Sequence, residues 1–270
     1  MLLHVRHETH YEYEEPVRYS IQLLRLTPRA DHGQRVLAWQ VSTPGERLEQ
    51  VDPFGNLTQI LTTEESHRSL RIVVSGKVEV DADGSPVPPG PDALSPLAYL
   101  APTPLTRPDA ALRELAERHL GRHPASADSL MGLVHGIRAA VVCQPGIADV
   151  THSAAEALDL GAGVCQDQAH VLVACCRAAR VPARYVSGYF LDESSGEVAS
   201  HAWADVWLDA VQGWLGLDVT HAERAGARHC RLAVGRDYLD AAPIRGVRRG
   251  GGKESMTVTV RVTASQGDQQ

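Results

Sequence analysis

The chain is poor in aromatic residues (5%, with two phenylalanines), has no long apolar run, and carries no excess of positive charge. Each shortage excludes something. No stretch approaches the roughly 18 apolar residues that a membrane-spanning helix needs. Lys and Arg number 26 against 33 Asp and Glu, a formal net charge of −7. That balance argues against partners that demand a basic footprint, namely nucleic acid and anionic membrane. The one basic run, Arg245 to Arg249, reads as a solvated loop. The five cysteines (Cys143, Cys165, Cys175, Cys176 and Cys230) are odd in number and dispersed, which argues against a disulfide framework. None forms a Cys-x-x-Cys pair, and the thirteen histidines include no His-Glu-x-x-His motif. A structural zinc site or a zinc hydrolase therefore lacks its ligand spacing. The N-terminus reaches charge by Arg6, too early for a signal peptide, which points to the cytoplasm. There is no internal repeat.

What is present suffices for a globular enzyme-sized protein. The 270 residues are 43% apolar and 22% charged, enough to bury a core in one large domain or two modest ones. Residues 1–85 read as a β-rich domain. Tyr11 to Glu14 and Ile21 to Leu26 alternate, Leu37 to Ser42 and Leu57 to Leu61 are short runs, and Leu70 to Val80 is rich in β-branched residues. Asp52-Pro53-Phe54-Gly55-Asn56 is a turn signal. Residues 86–108, dense in proline and glycine, read as a semi-rigid linker. Residues 109–264 read as a second, α+β domain, and 265–270 as a disordered polar tail.

The second domain opens with helices. Thr106-Arg107-Pro108-Asp109 supplies a capping side chain and an early proline for a stripe of Leu112, Leu115, Ala116 and Leu120; Leu130, Leu133, Val134, Ile137 and Val141 form another. Ser153 to Glu156 is a capping box for a short helix ending near Gly161. A glycine-rich turn, Gly161-Ala162-Gly163, then leads into a helix beginning at Val164-Cys165-Gln166-Asp167 and stopped by Pro182. Strands follow at Arg184–Leu191, Ala199–Leu208 and Trp214–Thr220, with a turn at Asp192–Glu197 and an alternating last strand at Thr257–Val262.

Cys165 sits where the glycine turn becomes a helix. A first helical turn offers unpaired N–H groups and partial positive charge, which favour a thiolate and could receive an oxyanion. Gly161 and Gly163 leave space in front of the sulfur. His201 lies on the strand Ser200 to Leu208, on one face with Trp203, Asp205 and Trp207. Asp218 is a single acid in the apolar run Trp214 to Thr220, costly to bury without a partner. If the two strands neighbour each other antiparallel, Asp218 reaches the second ring nitrogen of His201 and supports its charged form. Nucleophile, base and orienter then follow in chain order.

These segments resemble the core of the transglutaminase-like superfamily. The likeness lies in Gly163 to Asp167 with Ala169-His170, Pro182 to Tyr189, Ser200 to Trp203 and Asp218-Val219-Thr220. Val234 to Gly246 is similar to the segment after the triad in bacterial two-domain members. Tyr11 to Tyr13, Pro16-Val17 and Leu24 to Arg29 are similar to their N-terminal domain. The resemblance implies a papain-like α+β core, with Cys165 as nucleophile on a helix, and His201 as base and Asp218 as its orienter on antiparallel strands. One departure is Gln168, where relatives usually carry an aromatic residue. The acidic clusters of calcium-dependent cross-linkers are missing, so no metal or cofactor is expected.

The expected activity is cysteine-dependent acyl transfer at an amide through a thioester, on a peptide, protein or small amide substrate. The alternative is a non-catalytic binding member that keeps the scaffold. Around the triad, Gln166 is read as an oxyanion donor or a helix-surface residue, and Trp203 as cleft wall or core. Gly163 is read as clearance for the substrate. Asp167 favours the positive helix start, His170, Cys175 and Cys176 are read as packed, and Arg236 and Asp237 as an ion pair bracing the C-terminal segment.

Overall fold

A computed structural model describes residues 1–30, 33–90, 93–121, 125–144, 152–192 and 200–265. All of the expected turn at Asp192–Glu197 except Asp192, and all of the expected tail except Ser265, lie outside the described residues. The elements are β1 (Leu2–Leu24), β2 (Gln34–Ser42), β3 (Arg47–Val51), β4 (Leu57–Thr63), β5 (His67–Val80), α1 (Ala110–Leu120), α2 (Ala127–Ala140) and β6 (Val142–Cys143). They continue with α3 (Ala154–Leu160), β7 (Ala162–Gly163), α4 (Cys165–Ala178), β8 (Ala183–Phe190), β9 (Ser200–Leu208), β10 (Gly213–Asp218) and β11 (Glu223–Arg224). The chain closes with β12 (His229–Gly235), α5 (Tyr238–Ala241), β13 (Ile244–Gly250) and β14 (Glu254–Ser265). No helix among the described residues is long and apolar enough to cross a membrane.

The first sheet is built around β1. Its first half buries alternate residues from Leu3 to Tyr13, the two-residue period of a strand with one face in the core. That half lies between β5 and β14; residues from Ser20 to Leu24 lie between β4 and β13. The exchange of partners falls around Pro16, which has no N–H to give a ladder. The two runs expected at Tyr11 and Ile21 are thus one strand.

The last strand corrects the expected extent of the second domain. Thr257 to Val262 belongs to β14 and pairs with β1, so residues 244–265 complete the first sheet. Val260 and Val262 pack with Leu3, Val5 and Leu232, which gives the physical reason: β1 would otherwise leave one edge unpaired over a buried face. The basic run Arg245 to Arg249 is correspondingly strand β13, not a loop.

Several of the described residues of 86–108 pack against the second domain rather than forming a spacer. Val87 and Trp214 exchange backbone hydrogen bonds of 2.8 Å each. Tyr99 is buried edge-on against Trp214. Arg177, buried on α4, donates to Tyr99 O (2.8 Å), Thr106 Oγ1 (2.6 Å), Ala183 O (3.0 Å) and Arg236 O (2.7 Å). Burial lowers its pKa to about 10.

The second sheet has the order β11-β10-β9-β8-β12 and is antiparallel throughout. Helix α4 lies against β8 and β9, with α1, α2 and α3 on its other sides. Every residue from Gln166 to Arg177 is buried, so α4 is a central helix rather than an amphipathic one. Its core partners include Leu112, Leu133, Ile137, Val206 and Leu215.

The two halves meet through the turn at Asp52–Asn56. Asn56 is fully buried and treats β12 as a strand would: its Nδ2 donates to Val234 O (2.8 Å) and its Oδ1 accepts from Val234 N (2.9 Å). Arg29 adds a bond to the same oxygen (2.8 Å). Asn56→Ala strands both backbone groups of Val234 and is expected to cost about 2–3 kcal/mol. Urea unfolding measures it as a lowered midpoint with an unchanged slope.

Candidate active site

The approach to α4 is fixed on both sides. Gly161 ends α3 in the left-handed conformation (φ 68°), which suits glycine. The short parallel pair β6–β7 follows, held by Val142 N–H to Gly161 O (3.0 Å) and Gln144 N–H to Gly163 O (2.7 Å). Val164 is extended, and the Asp167 carboxylate reaches back to accept its N–H at 2.8 Å. Burial raises the Asp167 pKa, against that one favourable bond. A Cβ at Gly163 would lie 2.7 Å from this carboxylate. Gly163 is therefore required by Asp167, a reason distinct from the expected clearance for substrate. The first intrahelical bond is Gln168 N–H to Val164 O (3.1 Å), so the N–H of Cys165 has no acceptor within the helix. Cys165 is half-buried among Ala169, Tyr185, Ala202, Ala233 and Tyr238.

The antiparallel pairing that the site requires is present. β9 and β10 are adjacent, with Leu217 opposite Ala204 and Asp218 just beyond. His201 Nε2 donates to Asp218 Oδ2 at 2.7 Å. Burial pulls the His201 pKa down, but hydrogen bonds with Asp218 and Cys165, and their negative charge, outweigh it and carry it up to about 10. Cys165, His201 and Asp218 thus interact in series. Asp205, on the same strand face as His201, is committed elsewhere: it accepts from Arg184 (2.9 Å) and Arg231 (2.8 Å).

Two histidines that the sequence did not single out share the same carboxylate. His221 Nδ1 donates to Asp218 Oδ2 at 2.7 Å and its backbone N–H to Oδ1 at 3.2 Å. His229 Nε2 donates at 3.1 Å, while its Nδ1 accepts the Gly226 N–H at 3.1 Å. With one nitrogen accepting, His229 is the neutral imidazole. Burial lowers its pKa, in keeping with that state. Burial would raise the pKa of Asp218, yet the three imidazole hydrogen bonds hold it far below the ordinary carboxylate range. Phe190 stacks on His221 (3.9 Å between centroids) and touches His201 and His229. The Asp-x-x-His spacing of a tight turn was the available signal for His221; His229 had none.

The ligand atoms of His201, Asp218 and His221 lie within 4.8 Å of one another, as do those of Asp218, Glu223 and His229. The ring nitrogens facing Asp218 donate protons to it, so a cation would have to displace those hydrogen bonds. The donor set fits a hydrogen-bonded hub better than a metal site.

The other expected site residues fall as follows. Gln166 is 8% exposed, so it is not a helix-surface residue. Trp203 is 1% exposed and packs with Val186, Val234 and Phe54, which makes it core rather than cleft wall. Gln168 is buried and bridges: Nε2 donates to Val141 O (2.8 Å) and Oε1 accepts from Thr220 Oγ1 (2.7 Å). It ties the helix that carries Cys165 to the loop after Asp218. His170 is packed and its Nε2 accepts the Tyr238 N–H (3.0 Å). Arg236 pairs with Asp240 (2.7 Å), not Asp237, because Asp237 caps α5. A concavity of about 920 Å³ is lined by residues such as Arg47, Ile60 and His67 of the first sheet and by no residue of this site.

The raised His201 pKa makes a stability prediction. Its folded value of about 10 exceeds the ordinary 6.5. The stabilisation is therefore complete below about pH 6.5 and is lost as pH rises towards 10. The melting temperature should fall over that interval in the wild type, and fall less in Asp218→Asn, as read by scanning calorimetry.

Residues 3–79 match the family model described as the bacterial transglutaminase-like N-terminal region, and residues 113–219 match that of the transglutaminase-like superfamily. An uncharacterized protein of Mycobacterium tuberculosis is 31% identical over 297 residues, covering 98% of this chain and 93% of its own. One from Mycobacterium leprae is 29% identical over 280 residues, covering 97% of this chain and 98% of its own. Among solved structures, a candidate cysteine protease from Cytophaga hutchinsonii superposes with a TM-score of 0.80 at 21% identity, over 100% of this chain and 92% of that one, a likeness of fold. The chain belongs to the transglutaminase-like superfamily, with the N-terminal region of its bacterial members.

Proposed function

We propose that the protein is a cysteine-dependent enzyme of acyl transfer at amide bonds, acting on a peptide, protein or small amide. The observation that carries this reading is the series Cys165, His201, Asp218, with an imidazole whose protonated form is supported by both neighbours.

The Cys165 sulfur, as thiolate, attacks the amide carbonyl. The carbonyl oxygen gathers negative charge beside the tip of α4, where the Cys165 N–H is available to it. His201, held as imidazolium by Asp218, gives its proton from Nδ1 to the departing amine as the tetrahedral species collapses to a thioester. The now neutral His201 then takes a proton from the incoming acceptor, water or an amine, which resolves the thioester and restores the pair. Asp218 stays ionised throughout, fixing the ring through Nε2.

Two measurements test this. At mildly acidic pH, iodoacetamide should label Cys165 ahead of the other four cysteines, with His201→Ala abolishing the preference. Peptide mapping reads the site. In a panel of amide hydrolysis and amine incorporation, Cys165→Ala should be inert, and His201→Ala should lose about 10²–10⁴-fold in turnover. Turnover by Cys165→Ala equal to the wild type would sink the mechanism, and slow unselective alkylation of Cys165 would favour a binding protein on the same scaffold.

A further inference from the structure

Cys143 has no part in the chemistry above, yet it lies beside it. It is the last residue of β6, and the parallel register sets it opposite Gly163, two residues before Cys165. It is exposed, while Cys175, Cys176 and Cys230 are fully buried. Partial burial raises its pKa, and the charges of Cys165, Asp218 and Asp167 add to the effect, so its thiol is within electrostatic reach of all three. A protein with five cysteines thus sets its one exposed thiol beside the start of the helix that carries its half-buried one.

We propose that Cys143 is the resolving thiol of Cys165, closing with it an intramolecular disulfide under hydroperoxide that turns the site off reversibly. The proposal rests on the nucleophilic role assigned to Cys165 and concerns its regulation. In the first step the Cys165 thiolate attacks a peroxide oxygen. The S–O bond forms, the O–O bond breaks, the sulfur is oxidised to sulfenic acid and the peroxide leaves as hydroxide. In the second, the Cys143 thiolate attacks the Cys165 sulfur, the S–S bond forms and the sulfenic oxygen leaves as hydroxide. The two hydroxides take up the two thiol protons, so two thiols and one peroxide give one disulfide and two waters. A dithiol reverses the change by exchange.

The local architecture suits this closure. The parallel register sets Cys143 opposite Gly163, two residues before Cys165, and a disulfide needs Cα atoms within about 7 Å. The strand β6 has only two residues, and Val142 N–H and Gln144 N–H are the groups that bond it to β7. Closure asks β6 to shift towards the tip of α4, against those two hydrogen bonds. The disulfide would remove the nucleophile and shield it from irreversible over-oxidation.

The test treats full-length wild type and Cys143→Ser with hydrogen peroxide and reads intact mass, peptide maps and recovery in dithiothreitol. Before oxidation, equal labelling of Cys165 by iodoacetamide in both shows that the substitution leaves the site intact. The wild type is expected to lose two hydrogens, to yield a joined Cys143–Cys165 peptide, and to regain labelling and activity in dithiothreitol. Cys143→Ser is expected to gain oxygens at Cys165 as sulfinic or sulfonic acid and to lose both properties for good. Oxygen gain at Cys165 in the wild type with no joined peptide would overturn the proposal. So would a disulfide between two molecules, or full recovery of Cys143→Ser. Selective labelling of the unoxidised protein bears only on the enzymatic reading, and the joined peptide only on the switch, so either can fail alone.

Discussion

One buried carboxylate organises the site. Asp218 has no exposed surface and is the common acceptor for three imidazoles from three segments of chain. A lone ionised acid in such a place would be prohibitive, and the three donors are what keep it charged. That charge in turn overcomes the burial of His201 and keeps its ring protonated. The surroundings of Cys165 thus depend, through His201, on Asp218. His229 contributes as a fixed neutral donor, because Gly226 occupies its other nitrogen.

Geometry follows from the same economy of donors. Asp167 holds the first turn of α4 by accepting from Val164, and needs a glycine at 163 to do so. Gln168 joins that helix to Thr220, two residues past Asp218. Sulfur and carboxylate are therefore carried by elements that are themselves hydrogen-bonded together, which sets their separation more firmly than packing alone would. An aromatic side chain at 168 could fill the space but could not make both bonds.

The first sheet is joined to this core at several points. Asn56 reproduces a strand's donor and acceptor pair against Val234, and β14 brings Val260 and Val262 into a cluster shared with Leu232. Arg177 gathers four acceptors, two of them in the segment between the domains. The second domain is thus clamped by the first, with the C-terminal strands returning to the sheet where the chain began.

Local patterns were legible without coordinates. The capping box at Ser153, the glycine stop at Gly161, the stripes of α1 and α2, the turn at Asp52–Asn56 and the strand segments all appear where their residues predict. The adjacency of the strands bearing His201 and Asp218 was only a condition in the sequence, because an apolar run with one acid demands a partner without naming it. What escaped was non-local. β12 offers no clean period, because both its faces are buried. Trp203 and Gln166 could not be placed, since alternation marks a face of a strand or helix but not what covers it. The alternation of β14 was plain, but nothing in it says which sheet it joins.

The sequence by itself determined the class of protein and the three residues proposed for its chemistry, because helix starts, strand periods and uncompensated charges are properties of short segments. Only the tertiary structure decided that Asp218 serves three histidines, that residues 244–265 belong to the first sheet, and that Cys143 borders the start of the helix bearing Cys165. These are contacts between residues up to hundreds of positions apart. Hydrogen-bond completion and burial choose them, and no local pattern encodes that choice.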